Sequence, residues 1–359
     1  MAITRIGNPA IADQRGINFR NIIINGDMSI AQRGTSSTGL TSSSYNTLDR
    51  FKLAMNTAGT WTMSQDTDVP TGQGFAKSLK LDCTTANASL SSGSYMRIDQ
   101  RLEGQNLQYL KKGTSSAESL TLSFWVKSNK TGTYICEVYD QDNTRQISKS
   151  YTISSASTWE KKTITFAGDT TGTLDNDNAR SLDVYFWLAV GTDYSSGTLN
   201  TSWNSVTTAN RVVGQVNLAD STSNEWYITG VQLEAGQVAS DFEFFPYDVN
   251  LQRCQRYFYK SFPQGTAPAQ NLTTGNLALV GTQSNYINGY HFPTMMRASP
   301  SITTFNPYAS NSSFRQFASS NDFSPTPQQV HDDKVGWWNT SAMSGTILLH
   351  SNLTADAEL

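Results

Sequence analysis

An all-β chain, built as an antiparallel jelly-roll sandwich followed by a small β domain, is the fold class this sequence predicts, and three observations predict it. Apolar and polar residues alternate with period two through the middle of the chain, as half-buried strands require. Clusters of Gly, Asp, Asn and Ser separate these runs at short intervals. Helical periodicity is almost absent before residue 248. Short strands divided by turn chemistry pack as two layers around one core.

The elements follow in order. Residues 1–20 contain Gly7, Asn8, Pro9 and Gly16 without periodicity and read as an extended arm. Leu120, Leu122, Phe124 and Val126 alternate with Thr121, Ser123, Trp125 and Lys127. Tyr134, Cys136 and Val138 then alternate with Ile135, Glu137 and Tyr139. The polar connection Ser128-Asn129-Lys130-Thr131-Gly132 between them suits a hairpin loop, so the two runs predict a β-hairpin. Further strands are expected at Thr163 to Phe166 and at Leu182, Val184, Phe186, Leu188 and Val190. A last one, Trp226 to Leu233, is expected to place Tyr227, Thr229, Val231 and Leu233 on one side. Leu251, Cys254 and Phe258 fall at helical spacing behind Pro246 and Asp248, which predicts a linking helix over 248–261. The sandwich is thus expected over 21–247 and a C-terminal β domain over 262–359.

Composition restricts the function classes. The 359 residues carry 26 basic and 29 acidic side chains, a formal net charge of -3, and only 15% charged residues, against about 25% in typical soluble domains. Ser and Thr together number 85 and Asn 27, which gives an uncharged polar surface. Such a surface lacks the electrostatic footprint of a nucleic-acid or anionic-lipid binder. No apolar run approaches a membrane span and the Met1-Ala2-Ile3-Thr4-Arg5 start lacks a secretory core, so a soluble chain made in a cytoplasm is expected. Cys83, Cys136 and Cys254 are too few and too scattered for a disulfide framework and are expected as reduced, buried thiols. No cofactor motif is present.

Three segments together resemble a family of tailed-bacteriophage virion proteins, described as tail-fibre or carbohydrate-binding structural proteins. The first runs from Asn21 through Asn25-Gly26-Asp27-Met28 to Gln32-Arg33-Gly34, followed by Tyr45 and Leu48-Asp49-Arg50-Phe51. The second is Leu122-Ser123-Phe124-Trp125-Val126-Lys127 with the later turn Phe166-Ala167-Gly168-Asp169-Thr170. The third is Gly230-Val231-Gln232-Leu233-Glu234-Ala235-Gly236, then Phe242-Glu243-Phe244 and Cys254-Gln255-Arg256-Tyr257. The resemblance covers roughly residues 20–260. It implies a carbohydrate-binding-module-like jelly roll, a homotrimer, and a place on the virion after assembly in the host cytoplasm. It also implies attachment through the N-terminal arm to another virion protein, a tail adaptor, baseplate or capsid component. The function it implies is host attachment through surface glycans by a tail fibre or receptor-binding appendage. The alternative is a head-decoration or head-fibre protein, and a polysaccharide depolymerase spike is a third class.

Uncharged sugar recognition needs flat aromatic faces with amides and hydroxyls beside them. Trp125, Tyr139, Tyr185 and Trp187 occupy normally polar strand positions and would form such a row on one sheet face; the same pattern arises where that face is buried under a loop or a neighbouring subunit. In the C-terminal domain Trp337 and Trp338, with Tyr286, Tyr290 and His291, form a second aromatic set, as a recognition surface or as the core of a small domain. Asp175-Asn176-Asp177-Asn178, near Asp169, offers oxygen ligands of the kind calcium takes, although Asp/Asn-rich turns form without metal. Glu225, Glu234, Asp241 and Glu243 are the carboxylates a glycosidase would need; flanking a strand, they are expected to end in solvent. His331-Asp332-Asp333 reads as a solvated turn. No nucleophile elbow or Ser-His-Asp arrangement is legible, and the chain is expected not to be an enzyme.

Overall fold

The computed structural model describes residues 19–282, 285–339 and 345–359. The expected N-terminal arm, residues 1–20, therefore lies almost wholly outside the described residues. Thirteen strands, β1 (Ser36–Leu40), β2 (Ser44–Tyr45), β3 (Lys52–Asn56), β4 (Thr60–Asp66), β5 (Ser78–Thr85), β6 (Tyr95–Glu103), β7 (Leu120–Ser128), β8 (Gly132–Asp140), β9 (Arg145–Ile153), β10 (Glu160–Phe166), β11 (Arg180–Val190), β12 (Asn204–Ser205) and β13 (Glu225–Ala235), form two sheets. One is six-stranded, in the order β1-β4-β5-β13-β7-β10; the other is seven-stranded, in the order β12-β9-β8-β11-β6-β3-β2. All pairings are antiparallel. The predicted antiparallel jelly-roll sandwich is the observed fold.

The two sheets share one core. Leu122, Phe124 and Val126 of β7 and Trp226, Ile228 and Leu233 of β13 meet Tyr134, Cys136 and Val138 of β8 and Leu182, Val184, Phe186 and Leu188 of β11, all essentially solvent-free. Phe124 contacts Phe186 edge-on at 5.2 Å across the interior. The three cysteines are free and buried.

Two local expectations are corrected. The run through β7 and β8 is not a hairpin, because β7 pairs with β13 and β10 while β8 pairs with β9 and β11. The connection 129–131 crosses from one sheet to the other. Period-two alternation fixes which residues face the core but not which strand lies alongside, and both strands point their apolar sides at the same core from opposite layers. The second correction lies in β13, where Thr229 pairs with Trp125 and Gln232 with Ser123, so one extra residue is accommodated. This bulge shifts the alternation: Trp226 and Ile228 before it and Val231 and Leu233 after it all face inward, whereas Tyr227, Thr229, Gln232 and Glu234 face outward. Gly230 makes the bulge possible, since its φ is +61° and an added Cβ would lie 2.6 Å from the Phe75 ring.

Beyond the sandwich, a helix occupies Tyr247–Gln255. It is shorter than the expected 248–261, because Phe258–Lys260 is extended and pairs with Thr354–Asp356. The strand Ile347–Asp356 runs through the C-terminal sheet, pairing with Leu277–Gly281, Ser301–Phe305, Phe314–Gln316 and Phe258–Lys260 along its length. A separate apolar cluster that includes Phe314, Trp337, Leu349 and Leu353 fills this part.

The segment 21–34 locks these parts together. The Asn21 side-chain oxygen accepts from Ile23 N and Leu233 N (3.0 and 3.1 Å), and its amide donates to Val231 O at 3.1 Å. The Asn25 amide donates to Ile30 O and Asp49 O, its side-chain oxygen accepts from Ile30 N, and its backbone N–H donates to the Asn250 side chain. The Arg33 guanidinium lies 3.7 Å from the Phe258 ring centroid and that of Arg50 3.5 Å from Tyr257; both pair with Glu358. Arg256 binds Glu103 through two hydrogen bonds of 2.8 and 2.7 Å. Residues of the first and third resembling segments thus meet at the seam between the sandwich and the C-terminal sheet.

Candidate functional site on the six-stranded sheet

The structure separates the predicted aromatic row. Trp125 stands on the outer face of the six-stranded sheet, whereas Tyr139, Tyr185 and Trp187 stand on the outer face of the seven-stranded sheet. The second group forms no open platform, and the single-row expectation is corrected. Trp187 is 0% and Tyr185 2% exposed, because residues 191–216 lie over them and contribute Val212, Tyr194 and Leu199. The cover is also polar inside. Glu137 accepts from Trp187 Nε1 at 2.7 Å and binds the Arg211 guanidinium from 2.9 Å, and Arg97 binds Asp99 while lying 4.1 Å from the Tyr185 centroid and 4.7 Å from that of Trp187. Burial raises the pKa of Glu137 and of Asp99, and the paired arginines only partly offset it.

The outer face of the six-stranded sheet is arranged differently. Outward Gln232 and Glu234, set by the bulge, fold the following segment back over the sheet: Glu234 accepts from Ser240 N (2.9 Å) and Oγ (2.7 Å), and Gln232 accepts from Glu243 N at 2.8 Å. This return places Phe242 and Phe244 above Gly230. Phe75 completes the group, at 5.0 Å from Phe242 and 5.1 Å from Phe244, while Phe242 and Phe244 are 4.8 Å apart and edge-on. Together with half-buried Trp125 these rings wall an open cavity of about 190 Å³, whose polar lining comes from Gln73, Ser123, Lys161 and Asp241. Aromatic faces beside an amide, a hydroxyl and exposed charges are the surfaces a pyranose ring needs.

Sequence reasoning found Trp125 but missed Phe75, Phe242 and Phe244 as partners. The doublet of Phe242 and Phe244 was legible as aromatic, yet its placement depends on the bulge at Gly230, which breaks the alternation the reading relied on. Further along the same face, Asp68 accepts from Trp159 Nε1 at 2.9 Å and pairs with Lys127, whose ammonium lies 4.1 Å from the Tyr227 centroid. Burial alone would raise the Asp68 pKa, but hydrogen bonds from Lys127 and Trp159 outweigh it and hold the carboxyl below its ordinary value.

In the C-terminal sheet, Trp337 is buried against Phe314 at 5.3 Å and serves the core, whereas Trp338 is 44% exposed and pairs across the strands with Tyr286. Tyr290 stacks on Tyr259 and hydrogen bonds to it instead of joining that pair. The oxygen ligands weighed as a calcium alternative are engaged within the protein: Asp169 is bound by Arg145 and Lys112, Asp177 caps Ala179 N, and the Asn178 amide donates to Arg297 O. Among the described residues no group of three or more His, Cys, Asp or Glu is placed to hold a metal ion. The carboxylates are likewise engaged. Glu225 pairs with Lys80 at 2.9 Å, Glu243 accepts from Phe19 N and Asn21 N, and Glu234, expected in solvent, is 5% exposed because Ser240 caps it. Backbone atoms of Asp332 and Asp333 accept from Met296 N and Phe292 N, and His331 N donates to Lys334 O, closing a turn.

No family model matches the chain, and no curated protein matches it. Solved structures show likeness in fold. The enzymatically active domain of tailspike protein 4 of bacteriophage CBA120 is similar over 60% of this chain, at 14% identity and a TM-score of 0.32; this chain spans 21% of that one. A family 11 carbohydrate-binding module from Clostridium thermocellum, in complex with a β-1,3-1,4-mixed-linked tetrasaccharide, is similar over 57% of this chain and 99% of its own, at 12% identity and a TM-score of 0.30. The N-terminal cellulose-binding domain of Cellulomonas fimi β-1,4-glucanase C covers 49% of this chain and 85% of its own, at 13% identity and a TM-score of 0.27. At these scores the likeness is one of outline, and the fold assignment rests on the strand pairings described above.

Proposed function

We propose that this chain is a non-enzymatic glycan-binding protein whose sugar seat is the cavity on the outer face of the six-stranded sheet. The observation that carries the reading is the convergence of Phe75, Trp125, Phe242 and Phe244 around a polar-rimmed hollow of about 190 Å³ on the outer face of this sheet. Rings at several angles can meet the C–H face of a pyranose, while Gln73, Ser123 and Asp241 address its hydroxyls. The engagement of Glu225, Glu234 and Glu243 in fold-stabilising bonds supports binding without hydrolysis.

The three-block sequence resemblance supports the finer reading. In it the chain is a bacteriophage virion component, a homotrimeric tail fibre or receptor-binding appendage that holds host-surface glycans through several weak contacts at once. A glycan array followed by calorimetry on the full chain tests the binding: at least one neutral glycan is expected at millimolar or tighter affinity, weakened about thirtyfold in Trp125→Ala. Absence of any binding refutes the seat. Light scattering at micromolar concentration tests the trimer, which a monomer refutes, and imaging of antibody-labelled virions separates tail from head placement.

A further inference from the structure

The cavity at Trp125 is smaller than the roughly 300–1,000 Å³ of pockets that enclose a drug-sized ligand. A ligand longer than one ring must therefore leave it along the sheet. The register shows what lies there. Trp125 of β7 pairs with Lys161 of β10, and Glu160 with Val126, so Trp159 is the next outward residue beside β7 and stands diagonal to Trp125. The Lys127 ammonium lies 5.6 Å from the Trp159 centroid, which confirms this position. Diagonal neighbours on one face of an antiparallel pair are about 7–8 Å apart, a step on the scale of one sugar ring. Trp159 is half-buried and held: Asp68 fixes its Nε1–H and Tyr227 meets its ring edge-on at 6.1 Å. A side chain oriented by a hydrogen bond and an edge contact, with part of its surface still open, is preorganised for stacking.

Resting on the proposed sugar seat, we infer that Trp159 forms a second stacking position and that the ligand is an oligosaccharide of at least two contiguous sugars lying diagonally across β7 and β10. Trp125 sets whether sugar binds; Trp159 sets how affinity depends on chain length. Exposed Lys161, opposite Trp125 and two residues from Trp159, flanks this diagonal and offers an ammonium to ring or linkage oxygens of a bridging chain.

The test is calorimetry on the full chain with glucose, galactose and mannose and with their β-1,4-linked di- and tetrasaccharides, an extended linkage that carries one ring to the next position. The tetrasaccharide of the preferred sugar is expected to bind at least tenfold more tightly than the monosaccharide. Trp159→Ala is expected to lower tetrasaccharide affinity about tenfold and leave the monosaccharide unchanged, Trp159→Phe to restore most of it, and Trp125→Ala to weaken both about thirtyfold. Equal effects of Trp159→Ala on all lengths, or none on any, overturn the inference while the seat at Trp125 stands. If the wild-type chain binds no member of the series, and no glycan on the array, the seat fails and the second position fails with it.

Discussion

The outer faces of the two sheets began as the same sequence pattern and ended as opposite surfaces. On the seven-stranded sheet, Tyr139, Tyr185 and Trp187 sit at positions that alternation assigns to solvent, yet the segment 191–216 covers them and seals Glu137 and Asp99 beneath, with half-buried Arg97 and Arg211 beside them. On the six-stranded sheet, Trp125 sits at an equivalent position, but the covering segment stops short and leaves a hollow. An aromatic residue at an outward strand position thus reports only that the face is not plain polar surface. Whether it becomes core or binding site is decided by how far a connection from a neighbouring strand folds back over it.

The largest test of this contrast lies on the covered face. Glu137→Ala strands the buried Trp187 N–H and leaves the Arg211 guanidinium, only 12% exposed, without its partner, and breaking a buried pair from one side costs about 3 kcal/mol. Urea denaturation is expected to show that loss, with glycan affinity of the folded fraction within twofold of wild type. Next comes the hinge of the open face. Gly230→Ala must place a Cβ against the Phe75 ring at a positive φ, for a combined cost of about 2–3 kcal/mol from the left-handed conformation and the overpacking. Because Phe75, Phe242 and Phe244 move with it, affinity and stability are expected to fall together.

Trp125→Ala should separate those two quantities. The ring is half-buried, so stability is expected to change by less than about 1 kcal/mol, while the loss of a central aromatic anchor costs about 2 kcal/mol of binding, or roughly thirtyfold. If Trp125→Ala destabilised the chain as strongly as Glu137→Ala, the two faces would be the same kind of surface and the contrast would collapse.

Much of the fold was legible because period-two alternation of side-chain type marks strands: β7, β10 and β11 carry it in sequence, although β7 and β11 are buried on both faces and only β10 alternates in burial. The connectivity of β7 and β8 was not, since a five-residue polar loop serves a hairpin and a sheet-to-sheet crossing equally well. At the site, Trp125 was legible from its outward position. Its partners were not, because Phe242 and Phe244 reach it only through a return set by Gln232 and Glu234, whose outward orientation depends on the Gly230 bulge. A positive-φ glycine inside a strand run is the one local signal that could have warned of it. The segment 21–34 was legible only as part of a family resemblance; its role is structural, since the Asn21 and Asn25 side chains satisfy backbone groups at the seam.

Acid titration offers the finest division between the faces, because their carboxyls shift in opposite directions. Burial raises Glu137, so the folded state binds its proton more tightly than the unfolded chain does; its contribution is full below the ordinary glutamate value near 4.3 and is lost as pH rises through the higher folded value. Asp68 is held low despite its burial, through Lys127 and Trp159; its contribution is present above the ordinary aspartate value near 3.9 and is lost as pH falls through the lower folded value. Measured between pH 3 and 7, the stability of wild type relative to Glu137→Gln is therefore expected to rise on acidification, and that relative to Asp68→Asn to shrink below about pH 4. The second change is expected to stay under about 1 kcal/mol, since the Asp68 side chain is 44% exposed and its pair is screened. Tryptophan fluorescence should register it more sharply than stability does, because protonating Asp68 weakens the hold on the Trp159 indole N–H. Slopes of the same sign for both variants would mean that the open face is as sealed as the covered one.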